Sequence, residues 1–226
     1  MKHDIVHLMR ILTLGIVFGF LVSLVFLRIF PEVELFTREY MPLEDMLKIF
    51  VKNCFLATLI CYGGIIFSLV EIKFSKFSRA YELIDKTLDP IYFILRKISE
   101  DYKKLGRLYR SLYLCLSTFS IVCIFLIGFV ISFYFSIFFL LTEIGVRLLF
   151  KSIPHLFLET TVFIISAWVS LEMSKKLVKY IIKKAVRRFE KECIKFLKSR
   201  EIWIKLSVLY VILFLSAIIE KFSISL

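Results

Sequence analysis

Residues 111–142, SLYLCLSTFSIVCIFLIGFVISFYFSIFFLLT, run for 32 positions without an aspartate, glutamate, lysine or arginine. A helix on the surface of a water-soluble domain shows a polar face every turn, so a segment apolar on all sides must be enclosed by protein or lipid. The pattern recurs. Runs 11–27, 53–70 and 206–219 are also free of charge, and 152–171 carries only Glu159. A hydrocarbon core of roughly 30 Å takes about 20 helical residues. The run at 206–219 is short, but Ile202 and Trp203 lengthen it if Lys205 snorkels to the interface. With 59% apolar residues and 25 phenylalanines, the chain has more apolar surface than a water-soluble domain can bury. These features predict an all-α polytopic membrane protein. It is read as one domain over 1–226, with five transmembrane helices near 9–30, 47–70, 112–141, 152–173 and 203–220. The run 111–142 exceeds one crossing, and tilt, a cytoplasmic extension or a break near Gly128 would each absorb the surplus.

Lys2 and Arg10 precede the first apolar run as in a signal peptide, yet no small-residue cleavage pattern follows, so helix one reads as a retained signal anchor. Gly15 and Gly19, with Ser23 one step further, form a small-residue stripe suited to close helix packing, more within the chain than between copies. Cys54, Cys61, Cys115, Cys123 and Cys193 have no metal-type CxxC spacing and read as buried small hydrophobes. No internal repeat, low-complexity tract or soluble domain is visible.

Charge distribution orients the helices. Segment 1–10 holds two Lys/Arg, 71–111 ten and 174–205 twelve, and all three fall on one side of a five-helix topology. The opposite side receives 31–46, with five acids (Glu32, Glu34, Glu39, Glu44, Asp45) against Arg38. The positive-inside rule places the N-terminus in the cytoplasm and the C-terminus outside, in the plasma membrane. The cytoplasmic segments 71–111 and 174–202 are predicted to be basic amphipathic helices. Val178, Ile181, Ile182, Ala185, Phe189, Cys193 and Leu197 form one apolar stripe. Asp89-Pro90 caps a second helix, with Ile91, Leu95, Ile98, Tyr102, Leu105 and Tyr109 along one face. Such helices lie on anionic headgroups or pack on a neighbour. No nucleic-acid-binding motif appears, so nucleic acid is not an expected partner.

Topology then assigns a depth to each polar residue. In KSIPHLFLETT (151–161), Pro154 is expected in the first turn of helix four, with His155 near its outer end and Glu159 about 6 Å deeper on the same face. Asn53 on helix two and Glu220 at the end of helix five arrive at the same leaflet, and Glu143 and Arg147 flank the start of helix four. Intramembrane ionisable groups are expensive and usually face a bundle interior or a wet cavity. Three roles fit this cluster. It fixes helix register as a polar contact; it lines an outward-facing cavity for a ligand, a proton or a partner segment; or it is catalytic. The catalytic role has the least in its favour, since there is no HExxH and no GxS elbow beside a histidine; with no Walker A sequence, an ATP-driven role would need a separate ATPase subunit. His155, Glu159 and Glu220 are the one candidate metal set, a His-plus-carboxylate group suited to a metal-dependent intramembrane hydrolase. No catalytic residue and no cofactor is assigned.

PHLFLE (154–159) resembles the Pro-His-Gly-x-x-Glu signature of the stage II sporulation protein M (SpoIIM) family. FVKNCFLATLICYGG (50–64) is similar to that family's second helix, with Asn53 at its asparagine. SAIIEKF (216–222) is similar to its closing Ala-x-x-Ile-Glu segment, with Glu220 as the glutamate. Leu156 stands where the family has glycine, Thr160-Thr161 replaces a small apolar pair, 71–111 is long and charged, and helix three lacks the family's polar signature. The resemblance is to a divergent member. It implies an integral membrane component without known catalysis that works with partners; the leading reading is a scaffold or accessory subunit with membrane or extracytoplasmic partners, and a second copy of the chain is a further candidate partner. Asn53, Pro154, His155, Glu159 and Glu220 would be its motif residues. In spore-forming bacteria the family acts with peptidoglycan-degrading partners. A transporter or permease component using His155 and Glu159 as substrate or proton site is the alternative.

Overall fold

The structure, a computed structural model, describes residues 2–29, 43–74, 105–141 and 145–225. Among them are six helices and no strand: α1 (Lys2–Ile29), α2 (Leu43–Phe74), α3 (Arg107–Leu141), α4 (Gly145–Ile182), α5 (Val186–Leu197) and α6 (Arg200–Ser225). Five of them, all but α5, are long and apolar enough to cross a membrane. The chain is a multi-pass helical membrane protein. The acids of 32–39, the Asp89-Pro90 cap, the stripe from Ile91 to Tyr102 and Glu143 lie outside the described residues.

Contacts fix the helix directions. Along α1 and α3 they advance together, from Gly15 against Phe125 to Gly19 against Phe129 and Phe26 against Phe133, so the two run parallel. Between α2 and α3 the order reverses, Ser120 reaching Ile60 and Cys115 reaching Glu71. It reverses again between α2 and α6, where Phe50 meets Phe214 and Tyr62 meets Trp203. Thus α1, α3 and α6 run one way and α2 and α4 the other. Lys175 Nζ donates to Asp4 Oδ1 at 2.7 Å, tying the far end of α4 to the start of α1.

The small-residue stripe packs within the chain. A Cβ on Gly15 would meet the Phe125 carbonyl oxygen, and one on Gly19 the Phe129 carbonyl oxygen. Gly128 answers from α3: a Cβ there would lie 2.5 Å from the Leu12 carbonyl oxygen. Gly128 is therefore a point of close approach in an unbroken α3, whose 35 residues span about 52 Å and project beyond a single bilayer core. The core proper lies among α2, α3, α4 and α6, around Ile60, Tyr62, Leu116, Val162, Ala167 and Leu213. Large apolar side chains on the outer faces, Phe55, Phe157 and Val211 among them, stay exposed on the surface that lipid covers.

Two boundaries differ from the expectation. Helix four begins at Gly145, so Pro154 sits well inside it instead of in its first turn. Val146, Leu148, Leu149 and Phe150 continue the helical pattern upstream, and the exposed proline ring is accommodated outside the core. There the missing N–H frees the Phe150 carbonyl. At its other end α4 passes without interruption through residues 174–182. The apolar stripe expected across 174–202 is broken instead by a turn at 183–185. Lys184 adopts φ 53°, its N–H bonds to Ile181 O at 2.9 Å and that of Ala185 to Tyr180 O at 3.0 Å, a Schellman stop. Tyr109 Oη donates to the Lys184 carbonyl at 3.1 Å, anchoring the turn to α3. α5 then folds back, burying Phe189 and Cys193 in the main core while Arg187, Arg188, Lys191, Lys195 and Lys198 stay exposed; Ile182, before the turn, is exposed too.

Candidate functional site

The polar cluster forms at the end of the bundle away from α5, where α2, α4 and α6 meet. α2 starts with Glu44 and Asp45 favourably placed at its positive end, and Lys48 pairs with both, at 2.8 and 3.6 Å. Two turns further on, Asn53 Nδ2 donates to Glu159 Oε1 at 2.5 Å, joining α2 to α4. His155, one turn before Glu159, is buried and turns Nε2 toward Glu220 Oε1 of α6 at 4.0 Å. That distance is an ion-pair approach, not a hydrogen bond. Ser216, one turn before Glu220, donates its hydroxyl to the His155 carbonyl at 2.9 Å. Met46 and Ala217, with Ile49, Phe50 and Ile218, make a small apolar layer between α2 and α6 at the same end.

Four of the expected site residues therefore meet: Asn53 with Glu159, and His155 with Glu220. Pro154 is exposed and does not join them. Arg147 lies in the first turn of α4. Among the described residues no group of three or more His, Cys, Asp or Glu is arranged to hold a metal ion.

Ser216 was not singled out from the sequence, although it repeats in α6 the i, i+4 spacing that pairs His155 with Glu159 in α4. Nor was the next polar level inward. There Thr58 Oγ1 and Tyr210 Oη are 2.5 Å apart across α2 and α6, with Thr58 also bonded to Cys54 O at 2.7 Å. One turn deeper, Tyr62 packs against Trp203 with its hydroxyl buried and unpartnered. His155 Nδ1, Ser166 Oγ and Trp168 Nε1 are likewise buried without a protein partner. Hydroxyls of this kind give no sequence signal, because serine, threonine and tyrosine are common in apolar helices and often bond back to their own helix.

No family model, curated protein or solved structure matches the chain.

Proposed function

We propose that the chain is a SpoIIM-like protein of the cell membrane, its N-terminus cytoplasmic and its C-terminus outside, serving as a scaffold or accessory subunit of a membrane complex. The observation that carries this reading is the joining of α2, α4 and α6 through Asn53–Glu159 and His155–Glu220. These residues match the resemblance's motifs, and each of their contacts is between helices. Polar contacts of this kind hold helices in register where lipid offers no other partner.

The helix directions support the orientation. They gather the basic end of α4, α5 and the starts of α1, α3 and α6 at one end, where positive charge favours the cytoplasm. Exposed Arg187, Arg188, Lys191, Lys195 and Lys198 would meet anionic headgroups there, and Trp203, whose Nε1 donates to Leu197 O at 2.9 Å, sits at the corner between α5 and α6. The other end, carrying the cluster, is left for extracytoplasmic or membrane partners.

Proton and ion flux in proteoliposomes, under imposed pH and voltage gradients, tests the reading. A scaffold gives flux no greater than that of empty vesicles. Flux that disappears in both His155→Ala and Glu159→Gln would replace it with the transporter reading, for which the inward polar level at Thr58 and Tyr210 is the specific support. Orientation is tested separately: Thr37→Cys reacts with an impermeant thiol reagent applied outside intact cells, and labelling only after lysis overturns the assignment.

A further inference from the structure

Arg187, Arg188, Lys191, Lys195 and Lys198 recur at helical steps along α5, and all five are exposed. At 100° per residue they fall within an arc of about 100°. The acids of α5 stand outside that arc: Glu190 and Glu192 are half-buried at its margins, and Glu192 pairs with Lys195 at 3.7 Å. Among the described residues Arg187, Arg188, Lys191 and Lys198 form no ion pair. The opposite side of α5, with Phe189 and Cys193, is buried against α4 and α2, so the basic row is held facing outward.

Helix levels set the direction of this row. From the Asn53–Glu159 bond, α4 continues for about 34 Å to Ile182. The Tyr62–Trp203 contact lies about 13 Å from the same bond, and α6 begins about one turn further on, at Arg200. α6 thus starts about 16 Å short of the end of α4. α5, about 18 Å long, fills that gap between the turn at Lys184 and the corner where Trp203 Nε1 meets the Leu197 carbonyl. It therefore stands along the bundle instead of lying across its end. Lys198 is at the Trp203 corner, where a tryptophan marks the membrane interface, and Arg187 is about 16 Å beyond it. A headgroup layer is about 5–7 Å deep, and its surface field falls off within a Debye length of about 8 Å. Lys195 and Lys198 stand within that range. Lys191, Arg188 and Arg187, about 10–16 Å from Lys198, stand beyond it. Lipid serves the foot of the row and leaves its far half unmatched.

We infer that the far half of this row docks an acidic helical segment of a cytoplasmic protein, with carboxylates at three- and four-residue steps. Such a segment repeats the spacing of Arg187, Lys191, Lys195 and Lys198, and arginine takes carboxylates bidentately. Ile194, exposed at the margin of the row, offers the same helix an apolar contact. The inference rests on the cytoplasmic placement of α5 proposed above, and it narrows the headgroup contact to Lys195 and Lys198.

The test uses the full chain in nanodiscs and a fluorescent helical peptide with glutamate at three- and four-residue steps, its glutamine counterpart serving as control. Fluorescence anisotropy is expected to show binding of the glutamate peptide that weakens with added salt, and weakens about tenfold or more in Arg187→Glu/Lys191→Glu. No binding, or unchanged binding in that variant, overturns the inference. Equal binding of the glutamine peptide to the wild type overturns it without any variant having to fold. With the native cysteines replaced, a fluorophore at Lys198→Cys is expected to be quenched by a headgroup-linked quencher in phosphatidylglycerol nanodiscs, and one at Arg187→Cys far less. Equal quenching at both lays the row on the headgroups, assigns it to lipid and overturns the docking. Tighter binding of a single-stranded oligonucleotide than of the glutamate peptide assigns the row to nucleic acid and overturns it too. Both faces of a nanodisc are open to the peptide, so these results are independent of thiol labelling in cells. Labelling that reverses the orientation moves the partner to the other compartment and leaves the docking face intact.

Discussion

Asn53 and Glu159, 106 positions apart in the chain, are joined by a hydrogen bond of 2.5 Å from Nδ2 to Oε1. The bond crosses from α2 to α4 at the level where His155 turns to Glu220 on α6, so one polar layer ties three helices whose remaining contacts are largely apolar. A carboxyl or amide that loses its partner in this largely buried layer gives up hydration without a compensating bond, and the layer therefore acts on helix register as well as on stability.

Removing one partner should expose that dependence. Asn53→Ala is expected to lower stability in detergent by about 1–2 kcal/mol, the range of interhelical polar contacts. Asn53→Asp places a second carboxyl against Glu159 and is expected to cost at least as much. Denaturant titration followed by helical circular dichroism checks both. Unchanged midpoints in both variants would show that the bond contributes nothing to the fold.

A different device holds α1 to α3. Gly15, Gly19 and Gly128 let the two backbones approach so closely that a Cβ at any of them meets a carbonyl oxygen of the opposite helix. Gly15→Val or Gly19→Val must push α1 away, at about 1–3 kcal/mol each as overpacking costs go. Gly64→Ala is the milder control, its Cβ 3.1 Å from Cys115 O. Trypsin susceptibility at Lys2 and Arg10, together with the melting midpoint, reports the loosening. If Gly15→Val instead changes oligomeric state while leaving the midpoint fixed, the stripe serves an intermolecular contact.

Much of this arrangement is legible in the order of residues. The five spanning helices are, because lipid forces every face of a crossing helix to be apolar, and charge-free runs record that directly. Helix ends are less legible. The start of α4 is hidden because apolar Val146, Leu148, Leu149 and Phe150 continue the pattern and Pro154 resembles a first-turn residue, while the stop at Lys184 carries no glycine to announce it. Within the cluster, the His155–Glu159 spacing identifies a face, but which acid takes Asn53 and which takes His155 depends on how α2, α4 and α6 lie against one another. Ser216 and the Thr58–Tyr210 pair are invisible for the same reason: their meaning is entirely in the partner helix.

Lys184 offers a stabilising substitution. Its φ of 53° is a left-handed conformation that a side chain disfavours by about 1 kcal/mol and glycine adopts freely. The side chain is exposed, and the contacts that hold the turn run through the backbone, so glycine keeps them. Lys184→Gly is expected to stabilise the α4–α5 turn by up to about 1 kcal/mol, read as slower amide exchange in 180–189. Lys184→Val should act in the opposite direction. Faster exchange in the glycine variant would mean that the lysine side chain makes a compensating contact.

Cys193 sits on α5, outside the spanning helices, with Phe189 in the core. Burial, reinforced by Glu190 and Glu192, pushes its thiol up from 9.0 to about 12. The fold thus favours the neutral thiol. That contribution is complete below the ordinary value near 9.0 and is lost as pH rises through about 12, so alkali in this window should loosen α5. At neutral pH the thiolate fraction falls by about 10³, the difference between 12 and 9.0, and the reactive form is also shielded. With the other four cysteines replaced by alanine, maleimide at pH 7.5 is expected to leave the folded protein unlabelled and to label it fully in sodium dodecyl sulfate. Rapid labelling of the folded protein would place α5 away from α2 and α4, with its apolar side free to enter the membrane surface.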